Sequence, residues 1–440
     1  MISTNNRPDE ELRQTALALF QAGVRRADPA GAVEQALRER TAQIAAAERI
    51  FLLALGKAAV PMARAALPFL AEKLAGTVVV TNPENAAPVP GATVIPGGHP
   101  LPDKNSVRGG EALEQLALQA KKSDLVVCLV SGGGSALVCS PAEGVTPEDK
   151  IALNDALIRS GADIREINVV RSAVSRLKGG GLARAAAPAA VLALIVSDVP
   201  GDDLATIASG PTLWPSPSPQ AQREHALAIL ARYRLLHALP AGPRNALAST
   251  SAAAPPPAGL TVENRVIGSN RLSVDAMQGA AVSMGWTVLR LPGWLDGDVA
   301  DATRRMHALC LEQTAAPIAI LSGGEPTVQV TGSGRGGRNQ ELALRFALQA
   351  EASPLARSFV FLSGGTDGRD GPTDAAGALV NAGTPHRIRA AGLDPLTLLG
   401  NNDAYPALRA SGDLLITGAT GTNVADLQVI LLGAKENAAA

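Results

Sequence analysis

The chain has 440 residues, 46% hydrophobic, 2% aromatic and 18% charged, and its 39 Lys and Arg against 40 Asp and Glu give a net charge of -1. At roughly 150 residues per domain, this length predicts two or three domains. A balanced charge supplies no basic field for a phosphate backbone and so few aromatics leave few platforms for bases, which excludes nucleic acid as a partner. The 44 glycines and 31 prolines exceed average usage. With no Gly-X-Y period, and with too much apolar content for disorder, the glycines belong to particular turns.

Cys128, Cys139 and Cys310 are an odd, scattered set, and the five histidines have no neighbour at metal-ligand spacing. A disulfide framework or a thiolate zinc site is not expected. Residues 1–12 are polar and acidic, and the longest stretch without polar side chains, 185–196, is shorter than the ~20 residues that cross a bilayer. The expectation is a soluble chain with no membrane partner, in a reducing cytoplasm.

In chain order, runs rich in Val, Ile and Leu predict strands at 50–55, 77–80, 125–130, 193–196, 265–267, 287–290, 318–321, 358–362 and 414–417. Between them, Ala- and Leu-rich patterns predict helices at 10–23, 29–47, 58–71, 106–121, 147–160, 167–176, 270–284, 299–313 and 338–350. The alternation reads as βα units around a mainly parallel sheet, its strands covered on both faces. The rhythm breaks between Trp214 and Leu260, where prolines cluster at 215–219, 240–243 and 255–257. Proline removes a donor and blocks regular elements. The expected organisation is therefore a domain over 1–240, a Pro/Ala-rich linker over 241–258 and a second α/β domain over 259–440.

Three predicted strands run into the same triplet: Ser131-Gly132-Gly133, continued by Gly134 and Ser135; Ser322-Gly323-Gly324, continued by Glu325; and Ser363-Gly364-Gly365, continued by Thr366 and Asp367. Ligands of open α/β sheets lie beyond the carboxyl ends of the strands, and glycine there lets backbone N–H groups approach an anion. Three such turns predict an anionic ligand. Other predicted strand ends carry charge: Gly56-Lys57 after the first, and Ser197-Asp198 with Asp202 and Asp203 after the fourth. Carboxylates this close need a lysine, or a magnesium ion carrying phosphates, to relieve their repulsion; helix capping is the plain alternative for Asp203.

Familiar motifs fit poorly. Gly56-Lys57 lacks the upstream glycine and the following Ser or Thr of a P-loop, and Leu137 stands where a nucleophile elbow around Ser135 needs its second glycine. Residues 332–337 match G-x-G-x-x-G between a strand-like 327–330 and a helix, but no acid lies about 20 residues on at the end of the following strand, and Arg335, Arg338, Asn339 and Glu341 crowd the loop. Arginine at such a helix start suits a carboxylate or phosphoryl group. His99, in a glycine-rich loop, is either a loop hydrogen-bonder or a catalytic group.

Taken together, Gly56-Lys-Ala-Ala59, Gly97-Gly-His-Pro-Leu-Pro-Asp103, Ser131-Gly-Gly-Gly-Ser-Ala136, NVVRSAVSRLKGGG over 168–181, Ser197-Asp-Val-Pro-Gly-Asp202, Ala208-Ser-Gly-Pro-Thr212, Gly268-Ser-Asn270, Ser322-Gly-Gly-Glu-Pro-Thr327, Gly334-Arg-Gly-Gly-Arg-Asn-Gln-Glu341 and the run from Gly365 to Gly377 resemble the class II glycerate kinases, glycerate 2-kinases with a C-terminal MOFRL domain. The resemblance runs in order from about residue 10 to 433; some members of that family have been called hydroxypyruvate reductases. It implies a Rossmann-like N-terminal domain, an active site in a cleft between two α/β domains, and ATP-dependent phosphorylation of D-glycerate at its 2-hydroxyl with Mg2+. Among site residues it points to Lys57, Asp198, Glu325 and Arg338. On that reading Lys57 and Arg338 hold the phosphoryl group and the glycerate carboxylate, and Asp198 orients or deprotonates the hydroxyl. Glu325 or Asp367 places the metal. Ser131, Gly132, Gly133, Gly134 and Ser135 cradle nucleotide phosphates, with Asn270, Gly323, Gly324, Asn339 and Thr366 completing the nucleotide and substrate contacts. A homodimer is compatible with the aliphatic composition. The rival readings are an NAD(P)H-dependent hydroxypyruvate reductase, favoured by the G-x-G-x-x-G match alone, and a non-catalytic sugar-acid sensor.

Overall fold

The computed structural model describes residues 7–214, 217–249, 259–314 and 317–435. Two compact units emerge, one formed by residues 29–267 and the other by residues 1–28 together with 268–440.

In the first unit, β1 (Ile50–Leu55), β2 (Leu74–Thr81), β3 (Thr93–Pro96), β4 (Leu125–Val130), β5 (Ala190–Val196) and β6 (Val262–Gly268) form one sheet in the order β3-β2-β1-β4-β5-β6. The pairings of β2 with β3, β1 with β2, β1 with β4 and β4 with β5 are parallel. Every residue of β1 and β4 is buried, as continuous apolar runs require when helices cover both faces. The order is that of a doubly wound Rossmann sheet, in which the order of strand addition reverses between the parallel strands β1 and β4 and opens a crevice at their carboxyl ends. Both strands lead into that crevice through the glycine turns that the sequence singles out. Helices enter through side-chain caps where the sequence offers them: Asp103, Thr146 and Asp163 each form a reciprocal capping box.

The second unit holds a mixed sheet. Its strands β7 (Thr287–Arg290), β8 (Ile318–Gly324), β9 (Arg357–Gly365), β10 (Gly377–Asn381), β11 (Leu414–Leu415) and β12 (Asp426–Lys435) lie in the order β11-β10-β9-β12-β8-β7. Only the β7–β8 pair is parallel among the pairings described; β12 runs antiparallel to both β8 and β9 and sits between them. Three strands fall outside the sequence expectation. β3 and β10 are short, and β10 opens on glycine; β12 is an apolar run whose place in the middle of the sheet is a matter of long-range pairing.

The expected boundaries shift for a packing reason. Helix Arg7–Arg26 presents Leu12, Ala16, Leu19 and Phe20 to a core with Val274, Met277, Leu427 and Val429 of the second unit. Thr422 Oγ donates to the Ala27 carbonyl at 2.6 Å. The start of the chain therefore belongs with its end. At the other boundary, residues 241–248 of the expected linker are a helix, Ala241–Ala248, whose Leu247 joins Leu153, Leu157 and Ile229 in a core of the first unit. Residues 262–267 then complete the first sheet as β6, while 250–258 lie outside the described residues. Among the described residues no helix is long and apolar enough to cross a membrane.

Candidate active site

At the crevice of the first sheet the β1 and β4 turns are locked together. Lys57 N–H donates to the Gly132 carbonyl at 2.9 Å, and Ala58 N–H donates to Ser131 Oγ at 3.0 Å. The Ser131 hydroxyl is thus a brace between turns. Gly56 holds φ +115° directly against Ser131, and Gly133 holds φ +80°, where a Cβ would press on Lys57 and on the His99 ring. The N–H groups of Gly132 and Gly133 make no hydrogen bond among the described residues. Two converging donors are therefore left for an anion.

Asp198 follows β5 and lays its carboxylate over Gly132, in the space a side chain there would fill. Burial raises its pKa above the usual carboxylate range, its own backbone N–H and the Lys57 charge opposing. The Lys57 ammonium makes no hydrogen bond or ion pair among the described residues. A lysine with no ion pair among the described residues beside a carboxyl with an upward-shifted pKa makes this crevice a candidate site. The His99 loop closes the rim: Asp103 Oδ1 accepts from Gly98 N–H at 3.0 Å and Ser106 N–H at 2.8 Å. Burial, then the Lys57 charge, lowers the His99 pKa, with the Glu84 charge opposing. Asp203 takes the plain alternative, accepting from Ala205 N–H at 3.2 Å and Thr206 Oγ at 2.5 Å in a local turn.

In the second unit, Arg338 opens helix Arg338–Ala352 and is gripped by two acids. Its Nε and one terminal nitrogen donate to Asp426 at 2.6 and 2.9 Å, and the other lies 2.8 Å from Glu325. Burial by itself would lower the guanidinium pKa; the bonds to Asp426 and the Glu325 charge override it and push the value up, so the group stays charged. Asp426 has no exposed side-chain surface, whereas Glu325 keeps 47% of its own. Asp426 thus fixes the arginine, and Glu325 is the open member of the cluster.

Several expected ligands turn out to be internal. Gly323 and Gly324, like Gly364 and Gly365, are not turn residues but the last residues of β8 and β9, paired with Leu427 and Asp426 of β12. Gly323 also accepts from Leu295 N–H at 2.9 Å and Gly365 donates to the Ala376 carbonyl at 2.8 Å, and the missing side chains make room for Asn270 and for Phe20. Asn270 donates to the carbonyls of Val424 and Asp426 at 2.9 and 2.8 Å. Asn339 accepts from Ser363 Oγ at 2.6 Å and donates through its backbone to Asp370 at 3.1 Å, and Thr366 Oγ donates to the Ala425 carbonyl at 2.7 Å. All three are buried. They frame the Arg338 cluster from inside. Asp367 keeps part of its surface and accepts from Arg369 N–H at 3.0 Å.

The G-x-G-x-x-G loop is also committed. Thr331 and Gly332 N–H donate to Asn402 Oδ1 at 2.8 and 2.9 Å, Ser333 N–H to Asn401 Oδ1 at 3.1 Å, and Arg335 N–H to Asp403 at 2.7 Å. Only an isolated bridge at Thr327 precedes it where the motif requires a strand. A pyrophosphate would find its donors taken.

A domain of unknown function, DUF4147, matches residues 15–248, and the MOFRL family matches residues 318–426. A D-glycerate 2-kinase of Thermotoga maritima is 38% identical over 430 residues, covering 96% of this chain and 99% of that protein. The chain belongs to the glycerate kinase family. The crystal structure of a Thermotoga maritima glycerate kinase superposes with a TM-score of 0.87 over 96% of this chain and 100% of that one, at 38% identity. A protein of Agrobacterium vitis that carries a hydroxypyruvate reductase name is 40% identical over 97% of this chain and 95% of its own length. Within a glycerate kinase framework the residue that sequence reasoning missed is Asp426. Its only signal was a lone acid at the head of the apolar run Leu427–Leu432, which reads as a strand boundary until the sheet places Arg338 beside it.

Proposed function

We propose that this chain is a glycerate 2-kinase, transferring the terminal phosphoryl group of ATP to the 2-hydroxyl of D-glycerate to give 2-phosphoglycerate and ADP. The observation that carries this is its likeness to the Thermotoga D-glycerate 2-kinase across nearly the whole of both chains.

Phosphoryl transfer asks for positioning and charge neutralisation more than covalent chemistry. Lys57, with no partner of its own, meets the phosphoryl oxygens, and the free N–H groups of Gly132 and Gly133 cradle the nucleotide phosphates. Asp198 accepts the proton of the 2-hydroxyl as that oxygen bonds to the terminal phosphorus and the bond to the ADP oxygen breaks. Burial raises its pKa, which strengthens it as a proton acceptor. Arg338, held by Asp426 and Glu325, keeps an exposed edge that suits an anionic group.

Among the described residues no cluster of three His, Cys, Asp or Glu side chains could cage a metal. Mg2+ does not need one, because it binds through one or two carboxylates and the substrate phosphates. Glu325 and Asp367, the partly exposed acids of the second unit, fit that role, and the ion would neutralise phosphate charge when bound. All three cysteines are buried and unpaired, which accords with a cytoplasmic setting.

The test is ADP release from ATP, Mg2+ and D-glycerate by the purified full-length chain, with the product resolved as the 2- or 3-phosphate. Oxidation of NADH by hydroxypyruvate without ADP release would overturn the reading, and glycerate binding without turnover would make the chain a sensor.

A further inference from the structure

Two stretches that the sequence singles out, 168–181 and 208–212, have no part in the transfer described above. Asn168, Ser172 and Gly179 of the first line a cavity of about 240 Å³ in the first unit, beside the segment 203–213 that carries the second. Helices Ile164–Ala173 and Pro219–Arg232 supply the remaining walls. Gln222 ties the two sides together, its amide donating to the Gly179 carbonyl at 2.9 Å and to the Pro217 carbonyl at 3.2 Å. The volume falls short of the ~300–1,000 Å³ of a site for a whole drug-sized ligand, so the cavity takes one compact group.

Two buried polar groups open on this space without a partner. Asn168 keeps 7% of its surface and Ser172 keeps 9%. Asn168 Oδ1 accepts from Ser209 Oγ at 3.2 Å, but its Nδ2 makes no hydrogen bond among the described residues, and neither does the Ser172 hydroxyl. Neither atom is sealed by protein, since both residues face the cavity. Buried polar groups are as a rule hydrogen-bonded, so these two mark where a ligand supplies the missing partners. The walls beside them are aliphatic, with Val169, Leu213 and Ala221. The charged residues that line the cavity, Arg165, Asp203 and His225, are all exposed and of mixed sign. The interior is therefore shaped for an uncharged group with apolar faces and a hydrogen-bonding edge.

We propose that this cavity binds a flat, uncharged heterocyclic base, adenine, with its faces against the aliphatic walls and its edge nitrogens on Asn168 and Ser172. A carboxylate or phosphate would find no buried cation among the lining residues to offset its desolvation. The cavity also shares a wall with the glycine turn that the kinase reading gives to the nucleotide phosphates. Ala205 and Thr206 line the cavity; Ala208, two residues on, has its Cβ 2.8 Å from where a Gly134 side chain would begin, and Ser209 Oγ lies 2.8 Å from Ser135 Oγ. Ala208 and Ser209 hold left-handed backbone, φ +50° and +62°, a conformation that these contacts on both sides impose. The adenine belongs either to the ATP co-substrate or to a nucleoside bound on its own. In the first case the inference rests on the kinase reading; in the second it stands without it.

The experiment is titration calorimetry of the full-length chain, as wild type, Ala221→Phe and Ser172→Ala, with adenosine, with ADP and with inorganic pyrophosphate. Ala221 is an exposed wall residue, so phenylalanine there fills the cavity from outside and should leave the unfolding midpoint near that of wild type. Adenine ligands should bind roughly tenfold or more weakly to Ala221→Phe, and about three- to tenfold more weakly to Ser172→Ala, which loses one neutral hydrogen bond. Pyrophosphate affinity should be the same in all three proteins. Weakening of ADP, with or without adenosine, assigns the base of the nucleotide; weakening of adenosine alone assigns a separate nucleoside site. The proposal is overturned if neither adenine ligand binds wild type, if both bind wild type and Ala221→Phe equally, or if pyrophosphate weakens as much as ADP. ADP release from ATP and glycerate, assayed in parallel, separates this inference from the kinase reading. Turnover with the same KM for ATP in wild type and Ala221→Phe would keep the kinase and end the assignment to the ATP base. Adenosine binding that Ala221→Phe abolishes, without any turnover in wild type, would end the kinase and leave the site.

Discussion

The Ser-Gly-Gly triplet at 131–133 and those at 322–324 and 363–365 have the same residues and opposite structures. The first turns away from the end of β4 and leaves the N–H groups of Gly132 and Gly133 without partners among the described residues; the others continue β8 and β9 as sheet positions beside β12, with Gly365 N–H donating to the Ala376 carbonyl at 2.8 Å. Where a sheet is parallel, its strands end together and their turns face a crevice. Where an antiparallel strand is inserted, the same glycines become ladder positions whose missing side chains admit a neighbour. Each unit also handles a site cation differently: Lys57 has no partner, while Arg338 is held by two acids.

That contrast can be broken. The largest expected effect is on stability: Asp426→Asn leaves Arg338 without its buried partner and should cost about 3–5 kcal/mol by denaturant unfolding, while Glu325→Gln, on the exposed side, should cost less than about 1 kcal/mol. Equal costs would mean that the two acids share the work. Lys57→Ala should do the reverse, lowering kcat roughly 10²–10³-fold with an unchanged unfolding midpoint, since it removes a charge that no folded contact uses. Near-normal turnover would falsify the assignment of Lys57.

Smaller effects separate the glycines. Gly323→Ala drives a methyl into the Asn270 amide inside the second sheet and should destabilise by about 1–3 kcal/mol, whereas Gly132→Ala meets the Asp198 carboxylate and should act mainly on kcat. The smallest effect is on pH dependence. Burial holds the Asp370 pKa at about 6 against an ordinary 3.8, the backbone N–H groups of Gln340 and Asn339 only partly offsetting it. A folded-state pKa raised this way favours the fold at acid pH, and the contribution fades as pH climbs from about 4 to 6. Asp370→Asn should flatten stability across that window, and a profile identical to wild type would remove Asp370 from the account. In the first unit, an acid limb of kcat/KM lying above the usual carboxylate range would place Asp198 in the reaction.

Much of this was legible in the chain itself. Continuous Val, Ile and Leu runs define β1 and β4 without outside help, and Lys57 and Asp198 stand where charge has no packing reason to be. Asp426 was not legible, because nothing near it in sequence is its partner; Arg338 lies 88 positions away. The amino-terminal helix was legible as a helix but not as part of the second unit, since an apolar stripe states that it must be covered and not by what. The G-x-G-x-x-G match misled for a related reason. Whether backbone donors are free depends on what folds against them, and here Asn401, Asn402 and Asp403 arrive from about 70 positions on.

The sequence by itself determined the α/β class, the family, and the glycine turns and charged residues that stand at the crevice of the first sheet. These rest on local pattern: periodicity, turn chemistry and charge placed next to glycine. Only the tertiary structure decided which glycine triplets are turns, which carboxylate holds Arg338, and that the helix Arg7–Arg26 packs in the core of the second unit. Each of those depends on which distant segment takes up a backbone group or a charge, and that choice is made by long-range packing.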